Sequence, residues 1–116
     1  MVTLIPTPYS YSSAVVAGEY VFLGLHRGFG ETFAQQLHDA FDQLQKTLLQ
    51  CNVSLEQLVK IHVYLKDITN LPEMEQAIYS YFEHNRFPAR MTTTTEFVDS
   101  DCLMMIDGVA YSPISQ

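Results

Sequence analysis

The sequence predicts an α+β fold of two layers, a mixed β-sheet with two helices on one face, in the order β-β-β-α-β-α-β-β. Three observations carry that expectation. Phe33, Leu37, Phe41, Leu44 and Leu48 recur at helical spacing, and Gln35, Asp39, Asp42, Gln43 and Lys46 make the other side polar. Val59, Ile61, Val63 and Leu65 alternate with Lys60, His62, Tyr64 and Lys66, which is the period of a strand. Short apolar or β-branched runs bounded by turn residues occupy both ends of the chain.

Each element follows from local chemistry. Val2 to Ile5 reads as a short strand closed by the turn Pro6-Thr7-Pro8. Ala14 to Ala17, the turn pair Gly18-Glu19 and Tyr20 to Leu25 read as a β-hairpin. Gly28-Phe29-Gly30 breaks the pattern. The long helix then starts at a capping box, Thr32 with Gln35, and stops near Asn52, which tolerates the left-handed conformation. After the strand at 59–66, a second helix is expected from Asn70, with Glu73 three residues on. It carries Met74, Ala77, Ile78, Tyr81 and Phe82 on one side and ends at Phe87-Pro88, because the residue before proline is pushed off helical angles. Threonine-rich Arg90 to Phe97 reads as a strand. After the polar turn Asp99-Ser100-Asp101, the last strand runs from Cys102 to Ala110.

Composition narrows the function classes. The 116 residues are expected to form one domain, residues 1–116, and 47% hydrophobic with 16% charged residues is a globular balance. No apolar run approaches the roughly 18 residues that span a bilayer, so no membrane is expected as a partner. The start, Met1-Val2-Thr3-Leu4-Ile5-Pro6, lacks the basic and apolar stretches of a secretory signal, so a cytoplasmic location is expected. Cys51 and Cys102 are too few for a disulfide framework and read as small buried apolar residues. Six basic against thirteen acidic residues give a net charge of −7, with the cations scattered singly. Nucleic-acid binding draws on counterion release at a basic surface, so no nucleic acid is expected as a partner.

Strand 20–25 is apolar on both faces and strand 102–110 nearly so. Two helices cover one face of a sheet; the other must meet another subunit or leave a large apolar patch in water. A homo-oligomer is therefore expected. His26, His38, His62 and His84 form no pair at metal-ligand spacing, and no metal site is expected. His38 reads as part of a polar helix side, His84 as a residue at a helix C-terminus, and His62 as sharing a polar strand face with Lys60. No G-x-S-x-G elbow is present. The run from Gly24 to Gly30 matches no phosphate-binding pattern, Glu31 stands where a phosphate would sit, and the segment reads as a tight turn. Arg90, starting a strand just after Pro88, reads either as a fork for a carboxylate or as half of a surface ion pair.

Several segments taken together resemble the RidA (YjgF-type) family of reactive-intermediate deaminases. They are Tyr11-Ser12-Ser13-Ala14, Ala17-Gly18-Glu19-Tyr20-Val21-Phe22, Ser54-Leu55-Glu56-Gln57-Leu58-Val59-Lys60 and Val63-Tyr64-Leu65-Lys66-Asp67. Tyr81-Phe82, Phe87-Pro88-Ala89-Arg90 and Ile106-Asp107-Gly108-Val109-Ala110 complete the set. The resemblance implies a chorismate-mutase-like fold, a homotrimer with ligand clefts between subunits, and hydrolysis of enamines or imines such as 2-aminoacrylate, without metal or cofactor. It implies that Arg90 clamps the substrate carboxylate and that Tyr11 lines the cleft. It further implies that the backbone near Gly24 and Thr92 shapes the site. Four departures accompany it, one of them a short loop before the first helix. Gly24-Leu25 stands where active members have serine-glycine, Glu75 where they have asparagine, and Met105 where they have the glutamate thought to activate water. Asp107 lies two residues on, on the same strand side and roughly 6–7 Å away. No catalytic acid or base is assigned. A second reading is therefore a non-catalytic trimer of the same fold that binds or senses a small carboxylate. A ribonuclease or translation-inhibitor role, attached to some relatives, is opposed by the charge of −7.

Overall fold

Gly18, at a left-handed φ of 60°, turns strand β2 (Ser12–Ala17) back onto β3 (Tyr20–Arg27). The computed structural model describes residues 2–113. Strand β1 (Val2–Pro6) precedes this hairpin; helix α1 (Phe33–Gln50), β4 (Leu58–Leu65), α2 (Leu71–Ile78), β5 (Ala89–Thr94) and β6 (Met104–Tyr111) follow it. The strands form one six-stranded sheet in the order β1-β2-β3-β6-β4-β5. The β4–β5 pair is parallel and the other pairs are antiparallel. The element order and the mixed sheet are those expected from the sequence.

Helix α1 begins at the capping box. The Thr32 hydroxyl accepts from the Gln35 N–H at 3.1 Å, and the Gln35 side chain accepts from the Thr32 N–H at 3.2 Å. It stops beside Asn52, which takes a φ of 61°. Its apolar stripe, Phe33, Leu37, Phe41, Leu44 and Leu48, is buried in one core with Val21, Leu23, Ile61, Val63, Leu65, Met104 and Ile106 of the sheet. Gln36 is also buried at 1% exposure. Its amide donates to the carbonyls of Gly30 and Asp101 and accepts the N–H of Leu103, so three of its hydrogen-bonding positions are satisfied.

Several boundaries differ from the sequence expectation. Strand β2 begins at Ser12 rather than Ala14, and β3 runs to Arg27 rather than Leu25, so the first part of the segment read as a tight turn is strand. Helix α2 ends at Ile78 rather than near Phe87, so His84 lies in a turn and not at a helix C-terminus. The Tyr81 ring stacks on Phe41 and the Phe82 ring meets it edge-on, and the chain leaves the helical path for tight turns that place them there. The side-chain cap at its start comes from Asp67, which accepts from Thr69 N–H ahead of a 3₁₀ turn at Ile68–Asn70; Asn70 makes no such bond. Strand β5 stops at Thr94 rather than Phe97, because its partner β4 ends at Leu65. Strand β6 starts at Met104 rather than Cys102, since Gln36 takes the N–H of Leu103. Cys102 is fully buried, whereas Cys51 is only half-buried; burial pushes both thiols up.

Strand β3 carries a bulge. Leu23 pairs with Gly108 and His26 with Ile106, so Gly24 and Leu25 together oppose Asp107. The extra residue turns Leu25 outward and His26 into the core, where it is 7% exposed. Its Nδ1 lies 2.7 Å from the Gly24 carbonyl and its Nε2 2.8 Å from the Thr47 hydroxyl. A neutral ring protonated on Nδ1 satisfies both. Burial holds the His26 pKa below its ordinary 6.5. The unfolded chain then binds a proton that the folded chain refuses, so stability must fall as pH drops below that value. Between about pH 7.5 and 5.5 the loss should be on the order of 1 kcal/mol from this group. Urea unfolding at both pH values should show a smaller loss in His26→Gln; equal losses in the two proteins would overturn the assignment.

Candidate functional site

Pro88 holds the backbone just ahead of Arg90, and β5 is an edge strand, so its outer N–H and C=O groups face away from the sheet. The parallel register sets Arg90 across from Ile61 and Thr92 across from Val63. Both residues therefore belong to the helix-covered face. There the Arg90 guanidinium donates through Nη2 to Glu75 Oε2 of α2 at 3.0 Å. The two side chains keep 31% and 48% of their surface exposed. A cavity of about 430 Å³ lies beside the pair, with Ile61, Tyr79, Phe87 and Gln76 as its other walls. The Thr92 hydroxyl is buried and makes no hydrogen bond among the described residues.

Tyr11 and Gly24 lie elsewhere. Tyr11 immediately precedes β2, is 57% exposed and stacks on Tyr9 with ring centroids 6.1 Å apart. Gly24 packs against β2 so closely that a Cβ there would stand 3.2 Å from the Ser12 carbonyl oxygen. Its own carbonyl is taken by His26. Met105 pairs with Arg27 across β3 and β6. Arg27 is almost buried: it bridges Asp99 and Asp101 at 2.9 Å each and lies 4.4 Å from the centre of the Phe29 ring. That clamp ties the end of β3 to the 99–101 turn and holds the backbone next to Met105.

The sequence-derived site residues thus fall into two groups. Arg90 and Thr92 share one face of β5, and Tyr11 and Gly24 sit at β2 and β3. Four strand steps separate β2 from β5 and three separate β3 from β5, or roughly 19 and 14 Å at the usual strand spacing. A single chain does not bring the groups together.

The helix-free face of the sheet carries a polar line that the sequence reading reached only in part. The Tyr64 hydroxyl donates to Asp107 Oδ2 at 2.9 Å, the His62 ring stacks on Tyr64 with centroids 3.9 Å apart, and His62 Nε2 lies 2.9 Å from the Thr93 hydroxyl. Burial, with the Asp107 carboxylate beside it, pushes the Tyr64 phenol up. The shared polar face of Lys60, His62 and Tyr64 was legible from period two. The partner Asp107 was not, because it depends on the register that sets His62 opposite it. Around this line Tyr20, Phe22 and Leu25 are each about half exposed.

Among the described residues no group of three or more His, Cys, Asp and Glu could hold a metal ion, and no helix is long and apolar enough to cross a membrane. Comparison with known proteins bears on the whole arrangement. A family model described as endoribonuclease L-PSP matches residues 4–112. A RutC family protein of Pyrococcus horikoshii is 27% identical over 109 residues, covering 87% of this chain and 86% of that protein. The structure of a yjgF-family protein from Streptococcus pyogenes is 28% identical, covers 97% of each chain and superposes with a TM-score of 0.88. A YjgF-family structure from Neisseria meningitidis, 24% identical, covers 99% of this chain and 98% of its own and shares the fold at a TM-score of 0.93.

Proposed function

The chain belongs to the YjgF/RidA family, whose model is described as endoribonuclease L-PSP, and on that premise we propose that it binds small carboxylate-bearing metabolites in clefts between identical subunits and hydrolyses their imines or enamines. In this reading it is a cytoplasmic homotrimer. Arg90 and Thr92 of one copy meet Tyr11 and Gly24 of the next. The observation that carries the proposal is the separation of those two groups by three to four strand steps; in this reading each copy contributes half a site at β5 and the other half at β2 and β3. The half-exposed Tyr20, Phe22 and Leu25 on the helix-free face support assembly.

The chemistry asks little of the protein. For an enamine such as 2-aminoacrylate, proton transfer to the terminal carbon gives the imine, water adds to that carbon–nitrogen bond, and the bond then breaks. Ammonia leaves and a 2-oxo acid remains. Arg90 holds the carboxylate, and the cleft holds the reacting carbon still, which lowers the barrier by positioning alone. The −7 charge argues against an RNA substrate.

A second reading, a trimer that binds or senses a carboxylate without turnover, is favoured by one observation. The thioether of Met105 cannot take or give a proton at neutral pH, and Asp107, two residues on, is engaged by Tyr64. One experiment separates the readings. The protein, eluting as a trimer in light scattering, is given freshly generated 2-aminoacrylate, and ammonia release is followed beside calorimetry with a small 2-oxo acid. Both readings expect Arg90→Ala to weaken binding by about tenfold or more; ammonia release above the spontaneous rate selects the enzyme. A stable monomer, or unchanged binding in Arg90→Ala, would overturn both.

A further inference from the structure

Glu75 reaches from α2 into the same cavity that Arg90 borders and takes one of its N–H donors. The geometry points to Glu75 as the residue that sets which net charge the site accepts. This inference rests on the reading of Arg90 as the carboxylate clamp. A lone guanidinium at the cavity edge would favour any small anion. Here its charge is already balanced, and Nη2 is the donor occupied, so the rest of the planar fork remains for a ligand. A ligand carboxylate that docks on those remaining donors comes within a few ångströms of a fixed negative charge.

That repulsion falls unequally on different ligands. A molecule whose carboxylate is its only charge feels it in full, and a dicarboxylate feels it more. A molecule carrying a carboxylate and an amino group feels little, because its cation can lie toward Glu75 Oε while its carboxylate lies toward Arg90. Among the other walls, Ile61, Tyr79 and Phe87 offer apolar contact to a small side chain. Glu75 therefore makes the site discriminate against net anions and in favour of ligands that are electrically balanced.

The test is a ligand series by calorimetry on the intact protein: alanine, pyruvate and malonate against wild type, Glu75→Gln and Arg90→Ala. Wild type should bind alanine tightest and malonate weakest. Glu75→Gln should tighten pyruvate and malonate by about three- to tenfold, the scale of a partly exposed charge pair, and should not tighten alanine. A purely structural role for the ion pair would shift the melting temperature and leave the order of ligands alone. If pyruvate binds and depends on Arg90, but Glu75→Gln leaves the order unchanged, this inference fails while the carboxylate clamp stands. If Arg90→Ala binds all three as wild type does, or none binds wild type at millimolar concentration, both fail.

Discussion

Met105→Glu is expected to raise hydrolysis of a carboxylate-bearing imine by about 10²–10⁴-fold, the contribution of a positioned acid–base group. The position is prepared for such a group. Met105 lies on β6 with its backbone held between β3 and β4, paired with Arg27 and Tyr64. Arg27 is already bound to two aspartates, so it has less hold on a new carboxylate than a free guanidinium would. Met105 is only half-buried, and a polar side chain of the same reach should leave the fold intact. In the trimer reading the gain must vanish in the double variant with Arg90→Ala, because a substrate that is not anchored by Arg90 of one copy cannot meet the new acid on the helix-free face of the next. Steady-state ammonia release from the four proteins closes the cycle. If the single change does nothing and wild type is already fast, the proton is handled elsewhere, with Asp107 and its Tyr64 partner, or Glu75, as the next groups to replace.

Gly28→Ala should cost about 3 kcal/mol or more, the upper end for overpacking, and lower the melting temperature by roughly 10 °C or more, if the protein folds at all. A Cβ at Gly28 would stand 1.9 Å from the Gln36 carbonyl oxygen and 2.3 Å from the Ala40 nitrogen. Both are backbone atoms of α1, hydrogen-bonded within a helix whose other side is packed in the core, so neither can give way. The helix would have to lift off the sheet. Gly18→Ala is the contrasting variant: nothing lies within 4 Å, and only the left-handed φ of 60° is strained. That strain costs about 1–2 kcal/mol. Equal melting temperatures for the two variants would refute the close-approach account.

Neither glycine could be told from the other in the sequence. Both follow a strand and both read as turn residues. What separates them is the distance to a helix that begins several residues later, and no local rule contains it. The same holds for α2. Its apolar spacing continues through Tyr81 and Phe82, but the helix stops at Ile78 and the two rings meet Phe41 of α1 from the turns that follow. Gln36 carries no local mark of its role, and it is buried because it satisfies backbone groups of two loops at once.

By itself the sequence determined the features that depend on a few consecutive residues. These are the capping box at Thr32, the left-handed stop at Asn52, the alternation in β4 and the order of the elements. It also carried the family, since seven short segments in fixed order are a local property repeated along the chain. The candidate site was legible as a set of residues but not as an arrangement. Arg90 read on its own residues more as half of a surface ion pair, and through the family resemblance as a carboxylate clamp; the structure pairs it with Glu75 through Nη2. Only the tertiary structure decided that Tyr11 and Arg90 stand four strands apart, that His26 turns inward at a bulge, and that Asp107 comes under Tyr64. Each of these follows from strand order and register. Those are settled by how a whole sheet packs against its helices, because a shift of one residue would exchange the buried and exposed faces of every strand.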